Sequence, residues 1–264
     1  MIFTYDKLYI LAFLNYYVNN MDLKKIILLF TIVFNLLISA SVIASNLYVA
    51  YYDVSGNQDV IVRLASLKSS MIPVNIKIYD EGGNRLYFKT ISLEPLETKS
   101  FKISDLVGKG PYNWGLFIAE VSDEDFLFMS VEYYYKDELV SIDNIFRPIP
   151  VFTEGLTYVY TIYHRNTGDV LTGLVLMNPQ KISVEAEIYV YDVEGNSVYE
   201  EIVELAPYDS YFMSLSKKLE INASQIGLIG VKVNMPIILA SEYYLEKRLL
   251  VNNVFEHSAY IERR

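Results

Sequence analysis

Beyond residue 45 the chain alternates apolar and polar residues with period two. Val74, Ile76 and Ile78 are separated by Asn75, Lys77 and Tyr79, and far downstream Val184, Ala186, Ile188 and Val190 are separated by Glu185, Glu187, Tyr189 and Tyr191. Successive side chains of a strand point to opposite faces, so this pattern predicts strands with one buried face. Asp80-Glu81-Gly82-Gly83-Asn84 and Asp192-Val193-Glu194-Gly195-Asn196 follow these runs. Their Asp, Gly and Asn residues tolerate positive φ, and each predicts a hairpin. Continuing in this way yields seven or eight strands per unit of roughly 105 residues, the spacing of a two-sheet sandwich. No sustained helical stripe interrupts them. Ser216–Ser224 has room for one turn of helix.

The pattern occurs twice. Ile76–Ser104 and Ile188–Ser216 align without a gap at a register of 112 residues, with Tyr79-Asp80 on Tyr191-Asp192, Gly83-Asn84 on Gly195-Asn196, Pro95 on Pro207 and Gly115-Leu116 on Gly227-Leu228. After a loop shortened by two residues, Glu132-Tyr133-Tyr134 meets Glu242-Tyr243-Tyr244. The expected fold class is therefore all-β, two tandem homologous immunoglobulin-like antiparallel β-sandwiches following an N-terminal signal or anchor helix. The expected units are 46–148 and 156–261, joined by a short, partly apolar linker over 149–155 that holds the two sandwiches against each other.

Lys24 and Lys25 precede the apolar run Ile26–Ala44, which closes on Val42-Ile43-Ala44 before Ser45. Small or aliphatic residues at the −3 and −1 positions suit a signal peptidase, so 21–44 reads as a secretory signal cleaved after Ala44. The same run is also long enough to span a bilayer as an uncleaved anchor. Met21 opens a plausible charged leader, which makes 1–20 a mis-assigned start extension.

Composition narrows the chemistry. The 24 Tyr and 13 Phe favour pleated sheets, and the absence of cysteine excludes disulfides, thiol nucleophiles and Cys-based metal sites. A net charge of −10 disfavours nucleic acid as a partner. Contact with membrane is expected only through an uncleaved N-terminal segment.

Leu176-Met177-Asn178-Pro179, the hairpin with Tyr191-Asp192 and Gly195-Asn196, Leu205-Ala206-Pro207 and the run Val233–Glu242 together resemble secreted immunoglobulin-like sandwich modules. They are also faintly similar to the sensory rhodopsin transducer type of β-sandwich, from which duplication and a leader set this chain apart. The resemblance implies fold more than function. The leader and the duplicated modules, without a catalytic cluster, point to an exported, non-enzymatic binding or structural protein of the cell envelope or exterior that presents sandwich surfaces to a protein or polysaccharide partner, with no cofactor. The alternatives are a carboxylate-dependent hydrolase at the inter-domain groove and an anchored sensory or assembly partner of a membrane protein.

The candidate site residues are aromatic: Trp114, Tyr112, Tyr133 and Tyr134 in one unit, Tyr243 and Tyr244 in the other. Exposed Tyr and Trp stack on sugars or anchor protein contacts at small entropic cost, whereas alternate tyrosines of a sheet also pack in cores or between sandwiches. Trp114 is the preferred surface anchor. The histidines His164 and His257 read as surface residues. Glu132 and Glu242, at equivalent positions, read as strand residues and only secondarily as a hydrolytic pair at the inter-domain groove. Asp53, Ser55, Asn57 and Asp59 imitate calcium-loop spacing but lack its Gly and its closing Glu, so an ordinary turn is expected. Asp123-Glu124-Asp125 reads as a solvated acidic loop, and Gly108-Lys109-Gly110 lacks the spacing of a phosphate loop.

Overall fold

The alternating runs are antiparallel strands in the computed structural model, which describes residues 45–149, 156–167, 170–218, 225–245, 248–254 and 260–263. The expected leader, most of the linker and His257 lie outside the described residues.

Four sheets form. Sheet I has the order β5(Thr98–Lys102), β2(Gln58–Ser66), β7(Leu127–Tyr135), β8(Glu138–Ile145). Sheet II has the order β1(Ser45–Asp53), β6(Trp114–Ser122), β3(Ile72–Asp80), β4(Arg85–Leu93). The second half repeats both: sheet III is β13(Ser210–Ser214), β10(Val170–Met177), β15(Ile238–Leu245), β16(Arg248–Val254). Sheet IV is β12(Ser197–Leu205), β11(Val184–Tyr191), β14(Gln225–Val233), β9(Leu156–Asn166), with β17(Tyr260–Arg263) added along β9. One short helix follows each fifth strand, α1(Ile103–Val107) and α2(Leu215–Lys218). The latter is the turn anticipated near Ser216.

Period-two alternation explains the cores. Val60, Val62 and Leu64 of β2 face Val74, Ile76 and Ile78 of β3, while Leu174 and Leu176 of β10 face Ile188 and Val190 of β11. The opposite face of sheet III is also covered: Val175, Met177, Ile238 and Ala240 join the first cluster. The sheets therefore stack as I, II, III, IV. Sheets II and III are the middle layers, packed from both sides over part of their width: Tyr48 through Tyr52 of β1 are all 2% exposed or less, whereas Leu86 and Phe88 of β4 stay exposed.

Both predicted hairpins form. Asp80 Oδ1 accepts the Gly82 and Asn84 N–H groups at 3.1 and 2.8 Å, and Asp192 Oδ1 accepts Asn196 N–H at 2.8 Å. A bulge falls at the same place in each, between Ile78 and Tyr79 and between Val190 and Tyr191. Equivalent tyrosines brace equivalent sheets: Tyr48 Oη accepts from Leu127 N–H at 3.0 Å as Tyr160 Oη does from Ile237 N–H at 3.2 Å.

Candidate functional site

The site with the most unusual chemistry lies where sheet II meets sheet III. Glu132 and Glu242 face outward from the seventh and fifteenth strands at equivalent registers, opposite Ile61 and Gly173. Among the described residues no sheet covers the outer face of sheet I, and there Arg63 binds Glu132 through two contacts at 2.7 and 3.1 Å. In sheet III the position of Arg63 is taken by Val175, and Glu242 is 1% exposed beneath sheet II. Its carboxylate accepts the Tyr51 hydroxyl at 2.7 Å and the Tyr244 hydroxyl. Among the described residues no cation replaces the lost guanidinium beside Glu242. Burial raises the pKa of Glu242, the two tyrosine hydrogen bonds oppose that rise, and the charge of Asp53 adds to it.

Asp53, 7% exposed, is raised by burial as well, although its Oδ1 accepts the Ser55 N–H at 2.8 Å and hydroxyl at 2.6 Å. Two buried carboxyls and two tyrosines thus share one desolvated patch, and burial with the Glu242 charge pushes the Tyr51 hydroxyl well above its usual range. The patch is enclosed by aromatics. Trp114 lies 6.2 Å from Tyr51 and 6.4 Å from Phe212, ring centre to ring centre. A Cβ on Gly173 would stand 2.7 Å from the Phe212 ring, so the glycine opposite Glu242 is what lets that ring lie there.

The joint continues along the layer. Tyr79 and Tyr208 stack at 4.3 Å, Ser210 N–H donates to Glu81 carbonyl at 2.9 Å, and a Cβ on Gly83 would come within 2.6 Å of the Pro207 carbonyl. Farther on is a cavity of about 260 Å³ lined by Ser45, Leu47, Lys77, Glu120, Tyr208 and Met235, among others. Lys77 and Glu120 close one wall as an ion pair at 2.5 Å. The volume is just below the usual range of ligand pockets, about 300 to 1,000 Å³.

The aromatic candidates do not form one surface. Trp114 is in the joint, which corrects its expected place as an exposed anchor: its strand presents it on the face that sheet III covers. Tyr133 is also a core residue, 3% exposed, with its hydroxyl donating to Tyr51 carbonyl at 2.9 Å. Tyr243 makes the equivalent bond to Tyr163 carbonyl at 2.8 Å and is half-buried. Tyr134 is half-buried beside Glu132, at 2.9 Å from Oε2, and Tyr244 is more open, at 37%. Tyr112 alone is fully presented, at 80%.

His164 corrects a second expectation, because it is wholly buried. It stands where the first unit has Tyr52, and both reach the same carbonyl of the bulge: Tyr52 Oη donates to Tyr79 O at 3.1 Å and His164 Nε2 lies 3.0 Å from Tyr191 O. Burial lowers its pKa, and Nδ1 has no hydrogen-bond partner. The calcium-like spacing proves to be a turn closed from within. Asp59 accepts the Val60 N–H at 2.9 Å and the Ser104 hydroxyl at 2.8 Å, with Lys102 and Lys109 at 3.3 and 3.4 Å. Asp125 binds Lys68 at 2.5 Å.

The sequence signal that would have singled out Glu242 is the pairing of the repeats, in which one copy keeps Glu but loses the Arg that faces it. No family model matches the chain, and no curated protein matches it. Among solved structures, Thermotoga maritima 1070 is similar at 15% identity, over 42% of this chain and 97% of that one, with a TM-score of 0.32. A Parabacteroides distasonis protein inferred to be secreted is similar at 8% identity over 73% of this chain and 74% of its own, with a TM-score of 0.20. Bacteroides uniformis β-glucuronidase 2, as a calcium-binding mutant, is similar at 11% identity over 82% of this chain, which spans 28% of the enzyme, with a TM-score of 0.20. At these scores no activity passes from those proteins to this chain.

Proposed function

We propose that the chain is an exported, non-enzymatic protein of the cell envelope or exterior that works by presenting rigid β-sandwich surfaces to a protein or polysaccharide partner. The observation that supports this reading over the carboxylate-dependent hydrolase is the sealing of the acidic patch. A hydrolase needs an acid and a base open to substrate, whereas Glu242 and Asp53 are 1% and 7% exposed and serve the joint between the sandwiches. Export is supported by the leader-like pattern Lys24–Ala44, and secreted immunoglobulin-like modules fit it better than a sensory transducer-like role inside the cell.

The test is to recover the protein from its native cells, sequence its N-terminus and assay it against envelope polysaccharides, glycosides and peptides for binding and for turnover. The expected result is a chain beginning near Ser45, retained by an envelope or extracellular polymer and releasing no product. Cytosolic recovery, or steady turnover abolished by Glu242→Gln, overturns the reading.

A further inference from the structure

The joint between the two sandwiches uses unlike faces, and each face has a free counterpart at an end of the stack. The outer face of sheet II docks on the outer face of sheet III. Sheet IV is the repeat equivalent of sheet II, and sheet I that of sheet III, by strand order and by register. Sheets IV and I are the two end layers, so among the described residues their outer faces carry the two halves of a joint that no sheet occupies.

We propose that a second copy of this chain docks there, sheet IV of one copy against sheet I of the next, in a head-to-tail assembly that continues the internal stack. This deepens the proposed function by naming the protein partner, and it rests on that reading. Because the two faces differ, the contact is heterologous and each copy keeps one free face at either end, so growth gives a filament or a closed ring.

At three positions the free faces keep an apolar or aromatic group where the internal joint has one, while Arg63, Ser100 and Ser130 replace Val175, Phe212 and Ala240. Tyr163 takes the place of Tyr51 and Leu228 that of Leu116; they are 51% and 47% exposed. On sheet I, Leu96 takes the place of Tyr208 in the same left-handed turn, with φ of 59° against 63°, and is 75% exposed. In the internal joint the equivalent position, Tyr208, stacks on Tyr79 at 4.3 Å. In a second joint Leu96 meets Tyr191, the equivalent of Tyr79.

Charge matches too. Inside the joint, Asp53 lies close enough to Glu242 to raise its pKa, an acid against an acid. At the free faces the corresponding pair is Arg165 and Glu132, and Arg165 is exposed. Glu132 already binds Arg63, which stands where the internal joint has Val175. The outer joint is therefore more polar than the inner one, wetter and dissociable, and it weakens in salt.

The test uses the chain as its native cells process it, studied by sedimentation and electron microscopy from micromolar to millimolar concentration. Leu228→Glu blocks the sheet IV face and Leu96→Glu the sheet I face; both positions are exposed, and thermal melts verify folding. Wild type is expected to grow into linear or ring assemblies with concentration, at least tenfold less readily in high salt. Each variant alone is expected to stay monomeric, while an equal mixture forms one-to-one dimers and nothing larger. Arg165→Glu is expected to weaken assembly without lowering the melting point. A wild type that stays monomeric throughout, or a mixture that forms no dimer, overturns the proposal. So does assembly abolished by only one variant, which marks a symmetric contact. A monomer that still binds an envelope polymer leaves the proposed function standing, and turnover would remove that reading without touching the assembly.

Discussion

At the scale of the residue, the same glutamate serves two purposes according to what lies over it. On the open face Glu132 is held in its charged form, first by the hydrogen bonds of Arg63, which lower its pKa. Under sheet II, Glu242 is pushed upward by burial. A carboxyl whose native pKa is raised keeps its proton to higher pH than the unfolded chain does. Its contribution to stability is complete below the ordinary carboxylate value of 4.5 and is lost as pH rises through the raised native value. His164 acts from the other side: its native pKa is lowered from 6.5, so its contribution is complete above that value and lost as pH falls toward the native one. Glu242→Gln is expected to leave stability near pH 4 almost unchanged and to raise it by about 1 kcal/mol at neutral pH, because a buried charge without a cation is removed. Urea unfolding across a pH series checks this; a neutral-pH loss of about 3 kcal/mol would show that the charge is needed.

At the scale of the element, the close approach of the sixth and third strands, and of the fourteenth and eleventh, depends on glycine. A Cβ at Gly115 would lie 2.3 Å from Tyr79 carbonyl, and one at Gly227 1.9 Å from Tyr191 carbonyl and 2.9 Å from His164 Nε2. Backbone atoms of a paired strand cannot step aside as a flexible side chain can. Gly227→Ala is expected to cost about 3 kcal/mol, the upper range of overpacking effects, read as a lower thermal midpoint. Retention of the wild-type midpoint would mean that the bulge at Tyr191 yields. The strands and hairpins around these glycines were legible from alternation and from Asp-x-x-Gly-Asn punctuation. The glycines matched in the repeat alignment, but nothing along the chain says that each faces a carbonyl three strands away in sequence.

At the scale of the whole molecule, the described residues from Ser45 onward group as one compact unit. The joint buries Val175, Met177, Ile238 and Ala240 with the first core and carries a backbone hydrogen bond across it. Such an interface couples the unfolding of its two sides. One cooperative transition is expected by calorimetry and by tyrosine fluorescence alike. Tyr51→Ala, which leaves Glu242 buried without one of its donors, is expected to lower that transition by about 2 kcal/mol or to split it; two transitions in the wild type would sink the coupled view.

The sequence alone determined that the chain makes strands, where the hairpins turn, and that the pattern occurs twice, because period-two alternation and turn chemistry are local and repetition is visible without coordinates. Which tyrosines are surface and which are core was decided only by tertiary structure. In sheet II, packed from both sides, alternation no longer separates inside from outside, so Trp114 reads as an exposed anchor and proves half-buried in the joint; Tyr133, on sheet I, is buried because its face is the one that meets sheet II. His164 shows the same limit, since its burial follows from taking the place of Tyr52 in the repeat. The fate of Glu242 likewise depended on stacking order: only the docking of sheet II on sheet III strips one of two equivalent glutamates of water, and that is a contact between faces far apart in sequence.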